Sequence, residues 1–250
     1  MKNLIIIAFV FFALAACQEK VGVNQLTKAE VKEGWQLLFD GKTTDGWKGY
    51  CKGNVPGAWT VTEEGTLHIA GSGKGEAGAH DGGDIITREK YGNFELSLEW
   101  KVSEGGNSGI FYLSQEICGT DSLPGDPIWK SSPEMQILDN AKHPDAKLGK
   151  EGNRQAGSLY DLIPAKPQNA KPAGEWNHIK ITVYKGTIIH WMNGENVLEY
   201  HLWTDDWKTM CMNSKFAEFL NFVNPASEGH IGLQDHGDDI WFRNIKIRKL

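Results

Sequence analysis

A mostly β-sheet domain, a sandwich or barrel, is what this sequence predicts, and three observations carry the prediction. Over residues 93–102 apolar and polar residues alternate, placing Phe94, Leu96, Leu98, Trp100 and Val102 on one side of an extended chain and Glu95, Ser97, Glu99 and Lys101 on the other. Clusters of Gly, Asn, Asp and Pro recur between apolar runs, with 29 glycines among 250 residues. Helical periodicity is scarce, and only residues 205–220 read as helical or irregular, holding Trp207, Met210 and Phe216 without a clean stripe.

The chain opens with one cation, Lys2, followed by a small and apolar run over 4–16, the layout of a secretory signal too short to span a bilayer comfortably. Leu14-Ala15-Ala16-Cys17 resembles a bacterial lipobox, so residues 1–16 are expected to be removed and Cys17 to be lipidated. The expected location is the cell envelope, anchored by lipid outside the cytoplasm, with that anchor as the only membrane contact. Residues 17–32 are polar without a strong strand period, which suits a tether. The remaining 33–250 is long enough for one well-buried domain.

Removing the leader takes Lys2 from the 26 basic residues and leaves the 32 acidic ones, moving the net charge from −6 to −7. A basic phosphate-binding surface is therefore not expected, and nucleic acid is excluded as a partner. With Cys17 committed to lipid, Cys51, Cys118 and Cys211 remain, allowing one disulfide and one thiol in any pairing. None of them forms the close pairs that mark zinc sites.

Strands are expected at 59–61, 66–69, 93–102, 108–113, 134–138, 178–184, 188–192, 231–233 and 240–247. The segments 179–184 and 188–192, joined through Lys185-Gly186-Thr187, read as a β-hairpin. Ten tryptophans are many for this length. Most should pack, but Trp47, Trp129, Trp203 and Trp207 lie in turn-rich settings, where a flat ring can meet the C–H face of a sugar.

Several ordered segments together resemble the 3-keto-disaccharide hydrolase domain family. They include Gly34-Trp35-Gln36-Leu37-Leu38-Phe39-Asp40-Gly41-Lys42, Gly83-Asp84-Ile85-Ile86-Thr87, Gly106-Asn107-Ser108-Gly109-Ile110, Glu134-Met135-Gln136-Ile137-Leu138-Asp139, Gly157-Ser158-Leu159-Tyr160-Asp161 and Gly232-Leu233-Gln234-Asp235-His236-Gly237. The resemblance spans nearly all of 33–250. It implies an all-β, concanavalin A-like jelly-roll sandwich of two antiparallel sheets with its ligand on a concave face. It further implies a carbohydrate substrate and cleavage or hydration of 3-keto-glucosides.

A ketone at C3 acidifies the C2 proton, so a base can remove it, the C1 substituent can leave, and water can add afterwards. That route needs a general base, a group to polarise O3 and an acid for the leaving group. On the strand at 134, a period of two sets Glu134, Gln136 and Leu138 on one face, giving a candidate base with a substrate-orienting amide beside it. His236 is a candidate proton carrier and Tyr160 a candidate acid or hydrogen-bond donor. Asn107 and Glu99 are candidate sugar contacts, and Arg243 could steady an enolate. The sequence identifies no cofactor with certainty, but Asp139 and His143, with Glu134 and His236, could hold calcium or another divalent metal.

Three other readings stay open, one of them a structural surface protein with no catalytic duty. A lectin-like module would keep the sandwich and bind sugar without turnover. A conventional glycosidase would need two carboxylates across one bond, for which Glu99 and Glu134 are the available pair. The Glu-x-Asp-x-x-Glu motif of concanavalin-like glucanases is absent, since Gln136 and Asp139 occupy the later positions. There is no phosphate-cradling Gly-rich loop and no serine nucleophile elbow.

Overall fold

A computed structural model describes residues 21–72, 81–120 and 122–250. The signal, Cys17 and the start of the tether lie outside the described residues. Among the described residues thirteen strands form two antiparallel sheets, the jelly-roll sandwich that the family resemblance implies. The larger sheet runs β11 (Glu195–His201), β10 (Thr187–Met192), β9 (Asn177–Tyr184), β6 (Phe94–Val102), β13 (Ile240–Lys249), β4 (Leu67–Ile69) and β3 (Trp59–Val61), with β1 (Trp35–Leu37) also pairing β13. The smaller runs β2 (Trp47–Gly49), β5 (Ile85–Thr87), β12 (His230–Leu233), β7 (Asn107–Ser114) and β8 (Glu134–Leu138).

Alternation builds the core between the sheets. Phe94, Leu96, Leu98, Trp100 and Val102 of β6 meet Ile110 and Tyr112 of β7 and Met135 and Ile137 of β8 in one buried cluster. The hairpin of β9 and β10 turns through Lys185 (φ 49°) and Gly186 (φ 85°), the positive-φ pair that a two-residue turn needs to match strand twist. Strands β1, β2, β5 and β11 were not anticipated. The first three have only three residues each, too few for a period to register, and β11 shares a bulge with β10 that breaks its alternation.

A buried polar knot crosses the core. The Tyr112 hydroxyl bonds His190 Nε2 and the Tyr200 hydroxyl, each at 2.7 Å, and His190 Nδ1 bonds the Gly157 carbonyl at 3.0 Å. Burial pushes the His190 imidazole down to about 4, so it stays neutral and fastens the 156–160 segment to the sheet. Cys51 and Cys118 form the disulfide, whereas Cys211 is a buried thiol.

From residue 21 onward the polar segment expected as a tether packs against the domain. Asn24 is buried, with its backbone N–H donating to Asn244 Oδ1 at 2.6 Å and its Nδ2 donating to the Gly65 carbonyl at 2.7 Å. Helix α1 (Lys28–Lys32) carries a Thr27–Glu30 capping box, and Glu30 pairs with Lys246 of β13. Polar composition concealed this docking because the contacts are hydrogen bonds and ion pairs rather than apolar burial.

The smaller sheet carries a third layer on its outer side. Over it lie the turn of 3-10 helix Ile128–Lys130 and the segment that carries α2 (Asp205–Met212) and α3 (Leu220–Val223). Trp207 anchors this segment, with its ring between Tyr200 and Phe222 and its Nε1 donating to the Val223 carbonyl at 2.9 Å. The Phe216 and Phe222 rings stack at 4.0 Å.

Candidate active site

Between the smaller sheet and its cover lies a cavity of about 500 Å³. Asn107 of β7 and Glu134 and Gln136 of β8 form its floor, with Asp84 before β5 and Gln234, Asp235 and His236 after β12. The walls are Pro127, Trp129 and Ser132 on one side, Lys215, Phe216, Phe219 and Phe222 on another, and Tyr160 on a third. A polar floor thus faces a largely aromatic wall, the form of a site that grips a polar ring and shelters an apolar face.

Glu134 points outward because Met135 and Ile137 point into the core. Its carboxylate lies over Gly109 of the neighbouring strand, where a Cβ would clash with Glu134 Oε1. Glycine at 109 is therefore a requirement of this carboxylate's position. Burial pushes the Glu134 carboxyl up to about 8, reinforced by Asp84 and Asp145 and opposed by Lys215. Among the described residues no cation pairs with it directly.

Asp84 is the second carboxyl of the floor. Burial pushes it up to about 7, although the Asp235 backbone N–H donates to its Oδ1 at 2.9 Å. Asp235 is itself buried and accepts from Gly83 N at 2.7 Å and Gly237 N at 3.0 Å, bracing both loops that shape the floor.

A chain of hydrogen bonds links four residues expected at the site. His236 Nε2 meets the Asn107 amide at 3.3 Å, and that amide meets the Gln136 amide at 3.2 Å. With the amides oriented to satisfy every partner, Gln136 Nε2 donates to Glu134 Oε1 at 3.2 Å and to the Ser108 carbonyl at 3.0 Å. A neutral donor thus holds Glu134 in place without supplying a counter-charge.

The metal set expected from sequence is rearranged. His143, His236 and Asp238 bring ligand atoms within 4.8 Å of one another and could hold a divalent ion beside the cavity. Glu134 and Asp139 are not in that group. Asp139 is buried in a turn, accepting from Gly105 N at 2.8 Å and Ala141 N at 3.0 Å.

Arg243 and Glu99 are corrected as substrate contacts. They face each other across β13 and β6 in the larger sheet, with Arg243 Nε 2.5 Å from Glu99 Oε2 and the guanidinium 4.0 Å over the Trp176 ring. Tyr160 does line the cavity, but its hydroxyl donates to Asp145 Oδ2 at 2.9 Å, and burial with Asp145 beside it raises the phenol further. That proton is engaged in the bond to Asp145, and Tyr160 forms part of the cavity wall. Trp129 is 36% exposed at the cavity rim, as a platform requires. Trp47 and Trp207 are buried in the core, and Trp203 lies elsewhere on the surface, donating to the Pro225 carbonyl at 2.8 Å.

Asp84, Asp235, Lys215, Phe216 and Phe219 were not singled out from sequence. Asp84 was within reach, since alternation from the core residue Ile85 places residues 84 and 86 outward. Lys215 and the phenylalanines sit in the irregular cover, where no period identifies a face.

Residues 34–248 match the model of a family described as the 3-keto-alpha-glucoside-1,2-lyase-like domain. A 3-keto-disaccharide hydrolase of Bacteroides thetaiotaomicron is 56% identical over 230 residues, 87% of this chain and 79% of that protein. Two solved structures from Parabacteroides distasonis, provisionally described as glycosyl hydrolases, superpose with TM-scores of 0.77 and 0.63 at 30% and 29% identity. They cover 91% and 86% of this chain and 99% of each of those chains.

Proposed function

The chain belongs to the 3-keto-alpha-glucoside-1,2-lyase-like domain family, and from that premise we propose that it cleaves 3-keto-glycosides by removing the C2 proton, with Glu134 as the base. The observation that carries this reading is a buried carboxylate, near 8, set beside a second carboxyl near 7 on one cavity floor. A carboxylate that holds its proton so strongly is a far better base toward carbon than one in water.

Glu134 takes the C2 proton, and the C–H electron pair is delocalised onto O3 as an enolate. When the ketone re-forms, the C1–O bond breaks, and the departing oxygen takes the proton that Asp84 carries. The products are an alcohol and a 1,2-unsaturated 3-ketone. Water then adds across the double bond: Asp84 receives its proton, its hydroxide joins C1, and Glu134 returns a proton to C2. One water is consumed and both carboxyls regain their starting states. The relative named a 3-keto-disaccharide hydrolase supports net hydrolysis, and the family description supports the elimination step.

The test is incubation of the protein with a 3-keto-glucoside and with its parent glucoside, following released alcohol and enone absorbance, with and without a chelator. Release from the keto substrate alone supports the proposal. Two carboxyls in one cavity also suit a conventional glycosidase, which turnover of the parent glucoside would reveal. Sugar binding without turnover would identify a lectin-like module. A lipid-anchored place outside the cytoplasm belongs to the same proposal, supported by the lipobox-like segment at 14–17 and the Cys51–Cys118 disulfide. Loss of incorporated labelled fatty acid in Cys17→Ser is its check.

A further inference from the structure

We propose that Lys215 is a catalytic residue of this site, its ammonium stabilising the negative charge that develops on O3 when the C2 proton leaves. The inference rests on the proton-abstraction reading above and supplies the O3 partner that it lacks. Among the described residues lining the cavity, Lys215 is the sole permanent cation, while Asp84, Glu134 and Asp235 line it as carboxyls. An enolate formed among carboxyls and sheltered from water would be raised steeply in energy unless one positive group faced it.

Several neighbouring donors are already committed. The Tyr160 hydroxyl donates to Asp145, and the Asn107 and Gln136 amides bond each other. Arg154 is held by Asp161 at 2.5 Å and Asp145 at 2.8 Å. Lys215 keeps only a loose partner, its Nζ lying 3.5 Å from Asp161 Oδ2, an acid that Arg154 already occupies. The same Nζ is 4.2 Å from the centroid of the Tyr160 ring, and Tyr160 and Lys215 both line the cavity. Its backbone is fixed from both flanks, since Ser214 Oγ donates to the Cys211 carbonyl at 2.7 Å and Phe216 stacks on Phe222. The ammonium also acts on Glu134, opposing the rise that burial causes.

The chemistry conserves every atom: Glu134 gains the C2 proton, the C3–O3 π pair moves to O3, and Lys215 holds that oxyanion without giving up a proton. The experiment follows hydrogen–deuterium exchange at C2 by NMR for a 3-keto-1,5-anhydro sugar, which has no leaving group, alongside turnover of a 3-keto-glucoside. Wild type, Lys215→Met and Lys215→Arg are compared in the full chain. Lys215→Met should lose about 10²–10³-fold in both exchange and kcat with KM changed only a few-fold, and Lys215→Arg should recover most of the loss. Exchange and kcat within threefold of wild type in Lys215→Met, or a rise in KM alone, would overturn the assignment of Lys215 and leave the proton-abstraction reading intact. Absence of C2 exchange in the wild type would overturn both.

Discussion

The outer faces of the two sheets are made of the same kinds of residue and end in opposite states. On the larger sheet Glu99 meets Arg243, Glu95 meets Arg248 and Lys180, and Lys101 lies 4.5 Å from the Trp241 ring centroid and 5.2 Å from that of Trp176. Each carboxylate has a cation across the strand, and the face stays in contact with water. On the smaller sheet, among the described residues, Glu134 and Asp84 have no cation in an ion pair with them, and the segment around Trp207, Phe216 and Phe222 lies over them. The first arrangement stiffens a scaffold. The second holds carboxyls at values suited to moving protons, at a cost in stability.

The largest expected effect separates the faces outright. Glu134→Gln should abolish turnover by at least about 10³-fold, whereas Glu99→Gln should leave kcat/KM within about twofold. The same pair carries a stability signature. An unfolded Glu134 would ionise near 4.5 but the folded one holds its proton to about 8, so the native state binds more protons between those values and loses stability as pH rises through them. Glu134→Gln should therefore melt like wild type near pH 4.5 and be more stable at pH 8–9, by on the order of 2–5 kcal/mol at most. Equal melting at both values would break the claim that this carboxylate is held at a cost.

Asp84→Asn comes next, with an expected loss of about 10²–10³-fold. In the wild type the competent form has Glu134 ionised and Asp84 protonated. With the two near 8 and 7, kcat/KM should form a bell centred near about 7.5, its limbs belonging to the pair rather than to either residue. An amide at 84 cannot titrate, so the residual activity should rise through about 8 and then level. A bell that survives in Asp84→Asn would move the acid role to another group.

What could be read from sequence, and what could not, follows the same division between faces. Period-two alternation placed Glu134 and Gln136 together, which belongs to local structure. Glu99 sits in an alternation as clean as that of Glu134, and nothing within ten residues distinguishes them. Their difference lies in the third layer, residues 204–223 and 127–132, which lies over the smaller sheet. Arg243 was expected at the site because a cation on the last strand is chemically apt, but register decides, and β13 pairs it with Glu99. Lys215 lies in that irregular cover, where sequence period carries no information about direction.

A smaller effect sharpens the description of the cavity. Trp129, with Phe219 edge-on at 5.2 Å, offers an apolar surface above the polar floor where a leaving group can lie. Trp129→Ala should cost about tenfold in kcat/KM for an aryl 3-keto-glucoside and little for the methyl analogue, the loss of one stacked face. An equal loss for both would place the sugar ring, not the leaving group, against Trp129.

The smallest expected effect on activity is the control on the scaffold face. Arg243→Ala removes an ion pair that is partly open to solvent and a stacked guanidinium over Trp176, together worth about 1–2 kcal/mol. It also leaves Glu99 with the Asn244 amide at 3.0 Å as its remaining partner, so the carboxylate is not stranded. The melting temperature should fall by a few degrees while kcat and KM stay within twofold. A tenfold loss of kcat without loss of stability would mean that the two faces are coupled through the core, and the Tyr112–His190–Tyr200 knot, which joins β7 to β10 and β11, would be the first place to look for the connection.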